Sequence, residues 1–142
     1  MKGSNSMTTL TPVEAFEVFL PAMERQDVQT FFAMLDDDVV LHFPFMSEGY
    51  PKIVTGRAAA EEFLQVIPAL FVEFAWINPR IYATDDPGLA MMVAKSTATL
   101  NTGAPYDNDY VLFLRVRDGK VIEYWEHVDP ARVLAAFEAI GV

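Results

Sequence analysis

Residues 106–128 read YDNDYVLFLRVRDGKVIEYWEHV, two runs of strand-forming residues around Asp118-Gly119. β-branched and aromatic residues flanking an Asp-Gly pair specify a β-hairpin. Successive strand side chains face opposite ways, so the turn decides which residues share a face. A two-residue turn pairs Arg117 with Lys120 and sets Tyr110 opposite His127. A three-residue loop, Arg117-Asp118-Gly119 with Gly119 left-handed, pairs Val116 with Lys120 and sets Tyr110 opposite Glu126. The first register places two positive charges directly opposite each other, which is mildly destabilising. The second gathers Tyr106, Asn108, Tyr110, Leu112, Leu114, Ile122, Tyr124 and Glu126 on one face and sends Asp107, Asp109 and Arg115 to water. The second is the expected register. It turns Glu126 inward and His127 outward.

Upstream of the hairpin the chain reads as more strands, and before those as helices. LAMMVAKSTATL (89–100) is a long strand after the turn Asp85-Asp86-Pro87-Gly88, and VEFAWI with RIYAT, split by Asn78-Pro79, precedes it. Thr11-Pro12-Val13-Glu14 opens a first helix as a capping box with proline at the first position. Val13, Phe16, Leu20 and Met23 continue it at helical spacing, and Pro21 is expected to kink or shorten it. Asp27 caps a short second helix with Val28, Phe31, Phe32 and Leu35 facing in. VVLHFPF (39–45) is a strand after the solvated acidic turn Asp36-Asp37-Asp38, and the loop MSEGYPKIV (46–54) is a candidate lid. Gly56-Arg57 opens a third helix whose apolar face includes Phe63, and Asp129-Pro130 caps a last short one. Helices followed by long antiparallel strands predict an α+β fold, with a curved antiparallel sheet forming a cone and the N-terminal helices over its concave face. Such a cone can enclose a pocket.

Composition narrows the function classes. The chain has 142 residues, enough for one domain with a sizeable core; residues 7–142 read as that domain and MKGSNS (1–6) as an expression remnant. Hydrophobic residues make up 52%, which marks a globular chain. Twenty acidic against ten basic side chains give a net charge of −10, which disfavours nucleic acid and anionic membranes as partners. No apolar run reaches spanning length. Without cysteine there is no disulfide or thiol chemistry, a pattern compatible with the cytoplasm. Two histidines alone leave no Cys/His zinc site, and no EF-hand-like loop appears; a carboxylate metal site stays open, but neither a metal nor another cofactor is expected.

The inward face is apolar at one end and carries tyrosine hydroxyls, an amide and a carboxylate at the other. A carboxyl in such a setting has a raised pKa, suited to general acid/base work near neutral pH. Glu126 is therefore the expected proton-transfer group. Tyr110 and Asn108 would orient a substrate or steady developing negative charge. Tyr106, Leu112, Tyr124, Phe43 and Phe63 would line the pocket. His42 is a lone histidine on an apolar strand, read either as a satisfied core residue or as a second catalytic group. Glu126 and the tyrosines also have a purely structural reading, in which they only satisfy one another. Trp125 and His127, on the outer face, read as a homodimer contact.

FPFMSEGYPKIVTGR (43–57), GAPYDNDYVLFLRVRDGKVIEYWEHVDP (103–130) and the element order resemble the nuclear transport factor 2-like superfamily, the cystatin-like cone of ketosteroid isomerase and the SnoaL-like polyketide cyclases. The local resemblance is to the SnoaL-like branch that includes phenazine-biosynthesis proteins of the PhzA/PhzB type. It implies that Glu126 stands where those members carry their acid/base glutamate, and that the tyrosine-rich strand lines the cavity. Trp125 and His127 depart from the pattern, standing where an arginine and an aromatic residue are common. No Asp-Arg-Asp set of the epoxide hydrolase kind is present, and the aspartate base of ketosteroid isomerase has no counterpart. The expectation is a cofactor-free isomerase, cyclase or dehydratase acting on a small apolar or aromatic molecule. A non-catalytic ligand-binding protein of the same shape is the alternative, and a protein–protein adaptor a third reading.

Overall fold

The structure is a computed structural model that describes residues 10–141, so the segment read as an expression remnant lies outside the described residues. Helix α1 runs over Pro12–Glu24 and α2 over Val28–Met34. Strand β1 spans Leu35–His42, β2 Ile53–Thr55, α3 Arg57–Leu64 and the short α4 Ile67–Leu70. Then come β3 at Phe71–Ala83, β4 at Leu89–Leu100, β5 at Pro105–Arg117, β6 at Lys120–Val128, and α5 at Pro130–Ala139. One curved, unclosed six-stranded sheet in the order β2-β1-β6-β5-β4-β3 packs its concave face against helices, the α+β layout expected. All neighbours are antiparallel except β1 and β6, which run parallel. Among the described residues no helix is long and apolar enough to cross a membrane.

Local chemistry explains the helix ends. Thr11 Oγ1 accepts from the Glu14 amide at 3.1 Å, while Glu14 Oε1 accepts from the Thr11 amide at 2.9 Å, closing the capping box. The expected kink at Pro21 does not end the helix, which continues to Glu24. Pro21 and Glu17, whose carbonyl loses its usual donor, are both exposed, so water can pair with that carbonyl. Phe16, Phe19 and Leu20 press into the sheet. Full burial of each such side chain is worth about 1.5–3 kcal/mol. Trp76 fastens α1 to β3, its Nε1 donating to the Leu20 carbonyl at 3.0 Å and its amide to Glu24 Oε2 at 2.9 Å.

The first strand begins earlier than the sequence suggests, at Leu35, and stops at His42. Its pairing with β6 skips from Leu35↔Val121 to Val40↔Glu123, so the acidic run is carried in a bulge beside the sheet. Asp37 and Asp38 remain exposed there.

The central hairpin corrects the expected register. Asp118 and Gly119 have φ of 53° and 76°, forming a two-residue turn with Arg117 opposite Lys120. The like charges do not clash, because Lys120 Nζ turns away to the Ala33 carbonyl at 2.9 Å. Pairing then shifts by one residue, from Val116↔Val121 to Arg115↔Glu123, with Ile122 as the extra residue. That bulge restores the parity a three-residue loop would have given. Glu126 therefore lies inward, opposite Leu112, with Tyr110 opposite Val128 and His127 opposite Val111 on the outer face.

Candidate functional site

The inner face of β4 presents Ala90, Met92, Ala94, Ser96, Ala98 and Leu100, mostly small residues where the neighbouring strands present larger ones. Ala94 stands opposite Tyr110 and Ala98 opposite Tyr106. A cavity of about 230 Å³ lies between sheet and helices. Its walls are aliphatic and aromatic, and its polar end holds Glu126 with Tyr106, Tyr110 and Tyr124. Glu126 is the only charged residue lining it among the described residues.

The geometry at Glu126 is tight. Tyr124 Oη donates to Glu126 Oε1 at 2.6 Å. The two stand two residues apart on one strand, so their side chains rise side by side from the same face. Burial pushes the Glu126 carboxyl above its ordinary range, and the Tyr124 hydrogen bond offsets part of that rise. Burial also holds the Tyr110 and Tyr124 phenols well above their ordinary value, and repulsion from Glu126 adds to it. Tyr106 is raised for the same first reason, with the Asn108 hydrogen bond opposing it. All three phenols are thus neutral, proton-carrying groups at physiological pH.

Phe43, Phe63, Tyr106, Tyr110 and Tyr124 line the cavity with Glu126. Three expected site residues do not. His42 is on the other face of the sheet: in β1 the alternation puts Leu41 opposite Tyr124 inward, and His42 opposite Trp125 outward. There it stacks on Trp125, ring centroids 4.8 Å apart, and its Nε2 lies 3.1 Å from Glu123 Oε2. It is no second acid/base group for Glu126. Leu112 has no exposed surface and packs in the core rather than against the cavity. Asn108 is buried behind the wall, where it holds Tyr106 and the start of α5.

Other lining residues went unnoticed in the sequence. Val133, Ala136 and Phe137 of α5, with Ile140 just past its end, close one side. Their i, i+3, i+4, i+7 spacing was a visible signal of an inward helical face. Trp76, Phe71 and Phe74 contribute from β3. The loop read as a candidate lid reaches the cavity at Met46, and its Tyr50 ring packs on Phe137 with centroids 5.2 Å apart. A larger hollow of about 430 Å³ opens on the outer face, between Phe45, Ile77, Arg80, Lys95 and His127. Tyr110 lines it too but Glu126 does not, and Lys95 there is already paired with Asp109 at 2.6 Å. The inner cavity is the candidate site.

Comparison with known proteins agrees with this architecture. The model of the SnoaL-like domain matches residues 16–124. The chain belongs to the SnoaL-like family. It is 30% identical over 125 residues to an uncharacterised PhzA/B-like protein of Pseudomonas aeruginosa, covering 86% of this chain and 84% of that one. Among solved structures, a Bacillus subtilis protein provisionally named an isomerase superposes with a TM-score of 0.79 at 24% identity, covering 96% of each chain. A Pseudomonas putida protein provisionally named a polyketide cyclase gives 0.74 at 15% identity, over 89% of this chain and 97% of that one. At these identities the two structures establish the fold, which is shared with proteins named NTF2-like.

Proposed function

We propose that this SnoaL-like protein is a cofactor-free acid/base enzyme of isomerase, cyclase or dehydratase type, acting on a small, mostly apolar molecule. One observation carries the reading. Glu126 is, among the described residues, the single carboxyl in an otherwise apolar and phenolic cavity, with burial raising its pKa and Tyr124 bonded to it at 2.6 Å. Such a group is poised to take up or release a proton at pH values where a solvated carboxylate is inert. Tyr110 and Tyr106 supply the hydroxyls that face oxygen charge developing on the substrate. The names of the relatives, isomerase, polyketide cyclase and PhzA/B-like, support the same class of chemistry.

The second reading is a non-catalytic ligand-binding protein. It is favoured by the position of His42, which leaves Glu126 without a histidine partner inside. The experiment that tests both is proton exchange in heavy water. A panel of cyclic and aromatic ketones is incubated with the protein, and loss of the C–H signals next to the carbonyl is followed by NMR. Catalysed exchange that falls by about 10²–10⁴-fold in Glu126→Gln supports catalysis. Saturable binding with no exchange above the Glu126→Gln background supports the binding protein.

We also propose that residues 7–142 act as one domain and that two copies pair through the outer sheet face. Val93, Val111, Phe113, Trp125 and His127 lie there, half-buried, with Ile77 and Tyr82 exposed beside them. An apolar sheet face of this extent is usually covered.

A further inference from the structure

The hydrogen bonds of Asn108 bear on one wall of the cavity, taken as the ligand site proposed above. The side chain is 1% exposed, so every polar atom on it must be satisfied by protein. Its Oδ1 accepts from two main-chain amides, those of Asp109 at 2.8 Å and Asp129 at 3.0 Å. An amide oxygen only accepts and its nitrogen only donates, so these two N–H groups fix which way the side chain is turned. Nδ2 must then point to the opposite side, where it donates to Tyr106 Oη at 2.7 Å and, more weakly, to the Asp129 carbonyl at 3.4 Å. A phenol carries one proton and accepts through its lone pairs. Asn108 donates to that oxygen, and in its contact with Tyr110 the Tyr110 hydroxyl is the donor, so the Tyr106 proton is left to be donated elsewhere. Tyr106 lines the cavity.

We propose that Asn108 is a positioning residue: it commits the Tyr106 phenol to donate into the cavity, so the ligand presents an uncharged acceptor oxygen at that wall. The acceptor is uncharged because no Lys, Arg or His lines the cavity among the described residues, while Glu126 does. A carboxylate or phosphate would enter an apolar space beside an acid with no cation to offset it. Specificity thus comes from a residue that never touches the ligand.

The test uses a matched pair of probes, 1-indanone labelled at its carbonyl carbon and the hydrocarbon indane, which differ only by that oxygen. Both are titrated into the wild type, Asn108→Asp and Tyr106→Phe. Affinities are measured by calorimetry and the bound carbonyl stretch by isotope-edited infrared spectroscopy. The wild type is expected to favour the ketone by about tenfold, the worth of one hydrogen bond in a dry site, and to shift its stretch to lower frequency. Asn108→Asp keeps the size and the two main-chain contacts, whose N–H groups favour the ionised carboxylate, and in that form it cannot donate. The phenol then turns its proton toward the new carboxylate. The ketone advantage should vanish and the stretch should match that in Tyr106→Phe, while indane binds all three proteins alike. A merely structural Asn108 would weaken both probes together and leave the stretch where it was.

An unchanged ketone preference in Asn108→Asp overturns the inference, as does a wild type that does not prefer the ketone or binds neither probe. Should Asn108→Asp fail to fold, Tyr106→Phe decides by itself: a ketone advantage that survives loss of the phenol overturns it. None of these readouts requires turnover. If Glu126 proves non-catalytic, the reading of the reaction fails while this one stands.

Discussion

Tyr124 and Glu126 leave the same strand two residues apart, and the phenol of the first closes on the carboxyl of the second at 2.6 Å. The contact is charge-assisted when Glu126 is ionised, and it opposes the effect of burial on that group. The acidity of the site is therefore set by burial and by the Tyr124 hydrogen bond acting in opposite directions, and the second can be removed singly.

Tyr124→Phe should raise the Glu126 pKa further. A hydrogen bond to a charged group is worth about 1.5–3 kcal/mol, which corresponds to roughly one to two pKa units. The ring remains packed against Phe19, Phe31 and Phe43, so the cavity keeps its shape. Infrared titration of the carboxyl band checks it. A pKa equal to that of the wild type would mean that the Tyr124 bond does not form in solution.

The same burial links Glu126 to stability. A carboxyl whose pKa is higher folded than unfolded binds more protons in the native state between the two values. Stability is then present in full below the unfolded pKa and is lost as pH rises toward the folded one. Glu126→Gln removes the ionisation while keeping the shape. Relative to the wild type it should gain stability through that window, by about 1.4 kcal/mol per unit of upward shift, and the gain should level off above the folded value. Urea unfolding of both proteins from pH 4 to 8 measures it. A difference that stays flat with pH would show Glu126 to be solvated.

How far the hairpin could be read from sequence shows where such reading stops. Alternation, the Asp-Gly turn and the need of Asp107 and Asp109 for water were enough to turn Glu126 inward. They could not locate the single extra residue that makes that parity possible. A bulge at Ile122 and a three-residue loop leave the same face inward but displace the pairs by two, and a β-branched residue carries no bulge signature. The like-charge argument against pairing Arg117 with Lys120 failed because a long lysine swings to a backbone carbonyl on another element. His42 went astray for a related reason: its strand starts at Leu35 and bulges at the acidic run, so the parity within VVLHFPF had no anchor. The polar end of the cavity was legible in β5 and β6. The α5 wall was written in its apolar spacing but needed the sheet to give that stripe something to face.

His42 offers a control on the assignment of faces. It stacks on Trp125 and pairs with Glu123, which also meets Arg115 at 3.1 Å. His42→Ala should cost about 1 kcal/mol of stability, the scale of one aromatic contact with a partly exposed hydrogen bond. Ketone binding and any exchange activity should stay within a factor of two or so, since nothing facing the cavity changes. Chemical denaturation and the exchange assay, run on the same preparation, check it. A loss of activity far beyond the loss of folded protein would return His42 to the site.

The outer face supplies the last prediction. Val111 pairs with Val93 on β4 and His127 on β6, at the centre of the sheet's outer surface. In an isolated molecule an arginine there would point into water beside Asp109 and Lys95 and disturb little. At a two-fold interface the same arginine would meet its own copy or the partner's apolar strand, and burying an unpaired charge costs several kcal/mol. Val111→Arg should therefore leave the unfolding midpoint of the monomer nearly unchanged but convert a dimer into monomers. Sedimentation equilibrium over a hundredfold range of protein concentration separates the two. A wild type that sediments as a monomer throughout would remove the proposed dimer, and the half-buried Trp125 and Phe113 would then be held only by contacts within their own chain.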